Sequence, residues 1–244
     1  MNMRSLIRWG TRSARAYRLG VPYSRDKYWK TPTTLRWNST RVRISLPNDE
    51  GTRIAFKDIF LEDVYGIHQI KSPIKTVIDV GAHAGLFSLY VRTVCPSAVI
   101  HAYEPNPLLW DHLIHQAKIG GFTPYPLAIG ERSGRVALRQ GVDTVFTQTC
   151  ADENGEVSMI AVDEAIDHIG GTVSLLKLDC EGAEWGILEA ENCLSRVSHL
   201  TLEYHLTPRR SLDELFSLVR TQGLEMRFHH ADGIDNGRIW ALRG

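Results

Sequence analysis

The sequence predicts an α/β fold, in which a doubly wound and mostly parallel sheet ends in an antiparallel β-hairpin. From Pro73 onward, short apolar segments that are typical of buried strands alternate with segments of helical periodicity. Such alternation is typical of a parallel sheet that helices cover on both faces. Near the end of the chain, only the turn-rich residues 231–237 separate the apolar segments 225–228 and 239–242. These two segments are therefore expected to pair antiparallel.

The N-terminal residues differ from the rest of the chain because they are strongly basic. Residues 1–30 carry many Arg and Lys residues and one acid, Asp26. Apolar residues recur among the arginines of residues 1–19, which predicts a short basic amphipathic helix. Three roles stay open for it: contact with an anionic membrane surface or partner, an organellar transit peptide, or an extension that packs on the main domain.

Residues 41–60 are expected to form a second β-hairpin. Apolar residues alternate with polar ones over residues 42–46 and again over 54–56, and the sequence Pro-Asn-Asp-Glu-Gly separates the two runs. The chain is thus divided into a basic extension (1–40), a hairpin and helical lead-in (41–72) and the main domain (73–244).

The main domain is interpreted as strands and helices in turn. The predicted strands cover residues 77–80, 99–103, 123–127, 135–138, 157–162, 173–178 and 199–204. The predicted helices cover residues 86–94, 107–119 and 212–221, and a further helix is predicted to start near residue 183 or 184. Ser211 and Glu214 have the spacing of a capping box before the last of these helices. The polar residues 141–155 are interpreted as a loop.

A glycine-containing turn follows the first strand of this domain. Gly81 and Gly85 allow a backbone geometry or a close approach that a Cβ atom would block. A ligand is then expected to meet backbone N–H groups at the start of the next helix. Asp79 is placed to orient this turn or to meet the ligand. Glu104 lies about 20 residues after the turn, at a strand end where an acid accepts hydrogen bonds from ribose hydroxyls.

The spacing of the glycines favours one class of nucleoside ligand over another. The turn has the pattern G-x-x-x-G, so the complete G-x-G-x-x-G pattern of dinucleotide sites is absent. This favours S-adenosylmethionine over NAD. An NAD-linked oxidoreductase stays an alternative, although the terminal hairpin also argues against it.

Composition limits the other classes of function. The formal net charge is zero, which argues against a protein built to neutralise nucleic-acid phosphates. There is also no Asn/Asp-Pro-Pro-Tyr/Phe motif, so no nucleic-acid partner is expected. The 4 cysteines show no C-x-x-C spacing, which favours a reducing compartment. The expected location is the cytoplasm, with peripheral membrane contact through the basic N-terminus as an alternative, and the oligomeric state stays open.

Together the motifs resemble the FkbM-type methyltransferases. The resemblance covers roughly residues 77–206 and is strongest in Lys177-x-Asp179-x-Glu181-Gly-Ala-Glu184. The other segments are residues 77–88, the run Tyr-Glu-Pro-Asn-Pro at 103–107, residues 128–134 and the run Leu-Glu-Tyr-His at 202–205.

The resemblance implies a Rossmann-like class I methyltransferase that methylates oxygen, with S-adenosylmethionine as cofactor and S-adenosylhomocysteine as product. The implied acceptors are sugars, glycans, glycolipids or other small natural products. The implied cofactor-binding residues are Asp79, Gly81, Ala82, His83, Gly85, Glu104, Pro105, Asn106, Ala128 and Asp179. The family usually has Asn where this chain has His83, and a charged histidine there would disfavour a cationic sulfonium.

The catalytic candidates lie at the ends of two predicted strands, where ligands bind in sheets of this type. Methyl transfer to a hydroxyl needs alignment of the reacting atoms and removal of the hydroxyl proton. Glu203 and His205 are the candidates for the base, while Asp179 and Glu181 are expected to shape the acceptor pocket. Helix capping is the alternative role for these two acids.

Two further alternatives remain. Lys177 and Glu184 are interpreted as an internal ion pair or as surface groups rather than as catalysts. A divalent metal such as Mg²⁺, held by Asp179, Glu181 and Glu203, is an alternative that is not favoured because nothing fixes the distances between these acids, and no metal site is assigned. A cofactor-binding scaffold without catalysis is the alternative from another functional class.

Overall fold

The computed structural model describes residues 3–23, 30–37, 39–139 and 148–244 of the chain. Helix α1 spans Met3–Arg18, and strands β1 (Thr34–Trp37) and β2 (Thr40–Arg43) pair antiparallel. Helix α2 (Glu50–Phe56) continues into the π-helical segment Lys57–Glu62. A short 3₁₀ turn, Ile67–Gln69, then leads to the main sheet.

Helix α1 confirms the predicted N-terminal helix for residues 3–18. Arg12 forms an ion pair with Glu62, and Arg15 donates a hydrogen bond to the backbone oxygen of Leu61 at 3.0 Å. Ala16 is buried on the same side. These contacts attach α1 to the segment Lys57–Glu62, as expected for an extension that packs on the domain. Within the described part of the chain, no helix is long and apolar enough to span a membrane.

The hairpin predicted over residues 41–60 is wrong. The side chain of Asp49 accepts a hydrogen bond from the backbone N–H of Thr52 at 2.7 Å and so caps α2. Thr52, Phe56 and Phe60 are buried at intervals of one helical turn, so this segment has helical rather than strand periodicity. The structure places the hairpin earlier, in β1 and β2. The division of the chain into 1–40, 41–72 and 73–244 stays a prediction.

The remaining strands form two sheets. In chain order they are β3 (Thr76–Val80), β4 (Val99–Tyr103), β5 (Thr123–Tyr125), β6 (Ala128–Gly130), β7 (Gly134–Arg139), β8 (Gln148–Ala151), β9 (Val157–Ala161), β10 (Val173–Leu178), β11 (Val197–His205), β12 (Leu224–Ala231) and β13 (Asn236–Arg243). The helices between them are α3 (Leu86–Val94), α4 (Trp110–Gly120, after the 3₁₀ turn Pro107–Leu109), α5 (Val162–His168), α6 (Glu184–Glu189) and α7 (Leu212–Thr221).

The main sheet has seven strands in the order β12-β13-β11-β10-β3-β4-β5. Strands β11, β10, β3, β4 and β5 are parallel, whereas β13 pairs antiparallel with both β11 and β12. The predicted parallel sheet with a terminal antiparallel hairpin is therefore confirmed. The predicted capping box of α7 is also present.

The sequence did not predict the second sheet, which has the order β6-β9-β7-β8. The predicted loop over residues 141–155 is wrong for Gln148–Ala151, which pair antiparallel with β7 as β8. Residues 140–147 lie outside the described part of the chain. A short polar strand becomes stable only through its partner, which local sequence does not reveal.

Neighbouring residues of the central strands pack on opposite faces of the main sheet. Val77 and Leu175 belong to an apolar cluster with α3 and α4, whereas Ile78 and Leu176 belong to a second cluster with α5, α6 and α7. Because both faces are covered, these strands are mostly apolar, and their charged residues Asp79 and Lys177 lie near the carboxyl ends.

The order of the parallel strands reverses between β3 and β10. Strands β4 and β5 follow β3 toward one edge of the sheet, and β11 follows β10 toward the other. The connections diverge at this point, which leaves a crevice outside the carboxyl ends of the two strands. The glycine turn and the acids after β10 both lie there.

Candidate active site

A cavity of about 560 Å³ opens at the carboxyl ends of β3, β10 and β11, a size typical of small-molecule sites. We call one wall the glycine-turn side; it includes Gly81, Ala82, His83, Glu104, Pro105 and Ala128. We call the opposite wall the acid–histidine side; it includes Asp58, Tyr65, Asp179, Glu181, Glu203, His205 and Arg238.

Gly81 is required at its position for steric reasons. Its φ is +71°, and a Cβ atom built on it would lie 1.8 Å from the backbone oxygen of Asp179. The backbone N–H groups of Gly81 and Ala82 both donate to the oxygen of Tyr103, at 3.1 and 3.0 Å. The turn is therefore packed against both neighbouring strand ends. Gly85, with a φ of +77°, is the N-cap residue of α3.

His83 also has a left-handed backbone, with a φ of +51°. Asn adopts this conformation more readily than most residues, which agrees with the usual presence of Asn at this position in the family that the sequence resembles. Burial is the largest cause that lowers the pKa of His83 to about 4, so the ring is neutral at pH 7. The expected repulsion between a charged His83 and a sulfonium therefore does not arise.

Glu104 is held in the cavity wall by two backbone donors. Its Oε2 accepts from the N–H of His83 at 2.7 Å, and its Oε1 accepts from that of Asn106 at 2.8 Å. Burial raises the pKa of Glu104 to about 7, although these hydrogen bonds act against the shift. Asn106 is 1 % exposed and caps the following turn through Leu108, so its side chain supports the wall from behind.

Asp79 lies behind the wall as well. It is completely buried, its Oδ2 accepts from the hydroxyl of Ser88 at 2.7 Å, and its Oδ1 lies 3.3 Å from the Nζ of Lys177. Of the two roles considered for Asp79, this position favours orienting the turn over contacting a ligand.

Lys177 connects the two walls. Its ammonium group donates to the backbone oxygen of Gly81 at 2.7 Å and forms ion pairs with Asp79 and Asp179, each at 3.3 Å. Burial lowers the pKa of Lys177, but the two carboxylates outweigh that effect and raise it above its ordinary value. The predicted internal ion pair of Lys177 thus exists, but its partners are the two aspartates rather than Glu184.

Asp179 is held by a residue from the lead-in segment. The hydroxyl of Tyr65 donates to its Oδ2 at 2.9 Å. Burial raises the pKa of Asp179, but the charge of Lys177 and this hydrogen bond outweigh it, so the pKa lies below its ordinary value. Asp179 is therefore a fixed carboxylate of the acid–histidine side, bound through Lys177 to the glycine-turn side.

Glu181, Glu184 and His205 form a second charged group. The Nε2 of His205 lies 3.5 Å from Glu181, and its Nδ1 lies 3.2 Å from Glu184. Burial lowers the pKa of His205, but the hydrogen bond to Glu184 and the charges of Glu181, Glu184 and Asp179 raise it to about 9. Burial raises the pKa of Glu181 to about 7, and its φ of 55° is unusual for this residue type.

Glu203 lines the cavity two residues before His205. Burial and the charge of Asp179 raise its pKa to about 8, although the positive charge of Arg238 acts in the opposite direction. Glu203 and Arg238 are paired positions on β11 and β13, and the guanidinium of Arg238 is bound to Asp232. The terminal hairpin thus supplies a charged pair at the rim of the cavity.

The structure therefore brings all four catalytic candidates to one cavity, together with the glycine turn, Glu104, Pro105 and Ala128. No group of three or more His, Cys, Asp or Glu side chains is arranged to hold a metal ion among the residues that the structure describes.

The sequence did not predict the contributions of Tyr65, Glu184 and Arg238. Glu184 is the last residue of the motif Lys177-x-Asp179-x-Glu181-Gly-Ala-Glu184, so this motif could have identified it as a site residue from the sequence. Tyr65 and Arg238 lie on segments far along the chain from the site, and no local pattern distinguishes them.

Comparison with known families identifies the family of this chain. Residues 79–228 match the family model described as the Methyltransferase FkbM domain, which is more than half of the chain.

Two curated relatives show how far similarity extends along the chain. The AMB antimetabolite synthetase AmbE of Pseudomonas aeruginosa is 25% identical over 258 aligned positions, which cover 82% of this chain and 12% of that protein. The chain thus spans a small part of that relative's length. The 31-O-demethyl-FK506 methyltransferase FkbM of Streptomyces tacrolimicus is 24% identical over 208 positions, covering 69% of this chain and 80% of the relative.

The solved structures share the fold at low sequence identity. Fibrillarin of Aeropyrum pernix, solved in complex with S-adenosyl-L-methionine, has a TM-score of 0.50 and 13% identity, and the match covers 90% of this chain and 85% of that one. The predicted Rossmann-like fold is thereby confirmed.

Proposed function

This chain belongs to the FkbM methyltransferase family, and we propose that it transfers a methyl group from S-adenosylmethionine to a hydroxyl group of a small, uncharged acceptor. The acceptor class is a sugar or glycan unit or a hydroxylated natural product. One observation carries this proposal: the glycine-turn side and the acid–histidine side bound the same cavity.

The residues of the glycine-turn side fit S-adenosylmethionine. Glu104 uses only two of its acceptor sites on His83 and Asn106, so it keeps acceptor capacity for ribose hydroxyls. Gly81 lets the turn pack directly against the backbone of Asp179, and the turn residues Gly81, Ala82 and His83 line the cavity. When bound, the cofactor supplies an electrophilic methyl group on a cationic sulfur.

The charge of the cavity also fits a cationic ligand. Among the described lining residues, six carboxyl groups outnumber three cationic groups, those of Lys177, Arg238 and His205. Lys177 and Arg238 are already paired with aspartates, and His205 with Glu181 and Glu184. This balance favours a sulfonium and disfavours a second ligand that carries phosphate or carboxylate groups.

The acid–histidine side supplies groups for proton removal. Glu203 and His205 line the cavity, and their pKa values are raised to about 8 and about 9, so each group in its deprotonated form accepts a proton more strongly than an ordinary carboxylate or imidazole. The name of the Streptomyces tacrolimicus relative supports oxygen as the methylated atom and a natural product as the acceptor.

The first test measures cofactor binding by calorimetry. We expect micromolar affinity for S-adenosylhomocysteine, and Glu104→Gln should weaken it by about 10- to 100-fold because a charged hydrogen bond is lost. Binding of NAD instead of S-adenosylhomocysteine would support the oxidoreductase alternative and refute the proposal.

The second test measures transfer of a labelled methyl group to a panel of hydroxylated compounds, each paired with its phosphate ester. We expect methylation of uncharged members only. His205→Asn or Glu203→Gln should abolish turnover in at least one case and leave S-adenosylhomocysteine binding intact.

The matched control is His199→Asn, because His199 lies on the same strand but binds Ser174 and Ser72 away from the cavity. Cofactor binding without transfer to any compound would favour the scaffold alternative, and activity of both variants would refute the assignment of the base.

A further inference from the structure

We propose that Glu184 is a positioning residue that holds His205 with its Nε2 atom toward the cavity, so that the two residues form one proton-accepting unit. This inference rests on the proposed transfer to a hydroxyl. Glu184 is the first residue of α6 and is completely buried, whereas His205 ends β11 and lines the cavity.

Both oxygens of the Glu184 carboxylate are held in place. Its Oε2 accepts from the backbone N–H of Gly182 at 2.7 Å and lies 3.7 Å from the Sγ of Cys180. Its Oε1 accepts from the backbone N–H of His205 at 3.0 Å and lies 3.2 Å from Nδ1 of the same residue. Because rotation of the carboxylate would break these contacts, the position of the acceptor beside Nδ1 is fixed.

A carboxylate at this position selects the tautomer of the imidazole. The neutral ring keeps its hydrogen on Nδ1, where Glu184 accepts it, and leaves a lone pair on Nε2. Nε2 lies on the side of Glu181, another residue of the cavity wall, at 3.5 Å. A buried carboxylate behind an imidazole in this way orients the ring and stabilises the imidazolium that proton transfer creates.

The charges around His205 favour uptake of a proton. Glu184 faces it from α6, Glu181 and Asp179 from the segment after β10, and Glu203 from its own strand, with the Lys177 ammonium beyond Asp179. Together the carboxylates raise the pKa of His205 to about 9 although burial lowers it. Nε2 accepts the hydroxyl proton only when the ring is neutral, so methyl transfer should rise with pH up to the pKa of His205 in the complex, which the positive charge of a sulfonium in the same cavity would lower.

The transfer then balances in charge. The acceptor oxygen forms a bond to the methyl carbon, the bond from that carbon to sulfur breaks, and its electron pair stays on sulfur. The hydroxyl proton passes to Nε2 of His205. The positive charge lost at sulfur reappears on the imidazole, where Glu184 and Glu181 lie within 3.5 Å.

The first measurement uses the wild-type protein without ligands. Nitrogen NMR of labelled histidine, assigned with His205→Asn, should show a pKa above that of a free imidazole and, at higher pH, a neutral ring with its hydrogen on Nδ1. A hydrogen on Nε2 would overturn the proposal. This result needs no methyl transfer and no altered Glu184.

The second measurement compares Glu184→Gln with Glu189→Gln, the same substitution at the exposed end of the same helix. We expect Glu184→Gln to lower the pKa of His205 by at least about 1 pH unit and kcat by about 100-fold. KM for S-adenosylmethionine should change less than about 3-fold, since no ligand contact is lost. Glu184→Asp keeps the charge and should restore part of kcat.

The proposed function and the proposed Glu184–His205 unit can be refuted independently of each other. A wild-type protein with the expected tautomer and pKa but no transferase activity refutes the proposed function and leaves the Glu184–His205 unit intact. An active enzyme in which folded Glu184→Gln keeps both the pKa of His205 and kcat overturns the unit. If Glu184→Gln does not fold, the tautomer in the wild-type protein decides.

Discussion

The two walls of the cavity are built in different ways. On the glycine-turn side, the hydrogen bond from His83 to Glu104 joins residues 21 positions apart, in one strand–helix–strand unit. On the acid–histidine side, the bond from Tyr65 to Asp179 joins residues 114 positions apart. A wall made by one local unit leaves a sequence signature, whereas a wall assembled from distant segments depends on how the sheet and its connections pack.

The largest expected effect breaks the connection between the walls. Lys177→Met leaves Asp79 and Asp179 without their shared counter-charge in a buried site. We expect the free energy of unfolding to fall by about 3–5 kcal/mol, measured by urea denaturation. The control, Lys57→Met, removes a half-exposed ion pair to Asp58 and should cost less than about 1 kcal/mol. Equal losses would show that Lys177 does not connect the walls.

The next effect tests the glycine-turn side alone. Gly81→Ala places a Cβ atom against the backbone of Asp179 at a φ of +71°, so we expect a loss of about 3 kcal/mol in stability. Calorimetry should show no measurable S-adenosylhomocysteine binding. Gly121→Ala is the control, because its φ is +60° but no atom lies within 4 Å of the added Cβ. It should cost about 1 kcal/mol and leave binding unchanged.

A smaller effect comes from the titration of the acid–histidine side. Glu181 and Glu203 have folded pKa values of about 7 and about 8, and that of His205 is about 9. Each of these lies above the value in the unfolded chain, so the folded state binds more protons between pH 6.5 and 9. Stability of the ligand-free protein should therefore fall as pH rises through this window, lowering Tm on the order of 5 °C.

The pH effect has its own control. Glu203→Gln should flatten the dependence of Tm on pH, whereas Glu189→Gln on the protein surface should leave it unchanged. A stability that rises over the same window would contradict the assignment of these pKa directions.

The smallest expected effect tests whether helix α1 influences only the acid–histidine side of the cavity. Arg12→Ala removes the ion pair to Glu62, at the end of the segment that carries Asp58 into the acid–histidine side. We expect a loss below about 1 kcal/mol and a rise in KM for the acceptor but not for S-adenosylmethionine. Arg53→Ala, which removes an exposed ion pair on α2, is the control. An equal rise in both KM values would show that α1 does not act on one wall alone.

Much of the main domain could be predicted from local pattern. Helix α3 and strand β10 have the predicted bounds, because a continuous apolar run and a following glycine turn are local signals. The glycine turn, Glu104 and the acids after β10 were found in the same way. The hairpin predicted at residues 41–60 failed because a few alternating apolar residues also fit a capped helix.

The sequence by itself determined the alternation of strands and helices in the main sheet, the antiparallel ending and the residue types at the strand ends. These depend on interactions within a few residues or on the general rules of βα packing. Only the tertiary structure decided that Lys177 joins Asp79 to Asp179 and that Glu184 lies behind His205. Both depend on the register between neighbouring strands and on a helix packed against a strand end, where burial gives charged groups partners that no local pattern specifies.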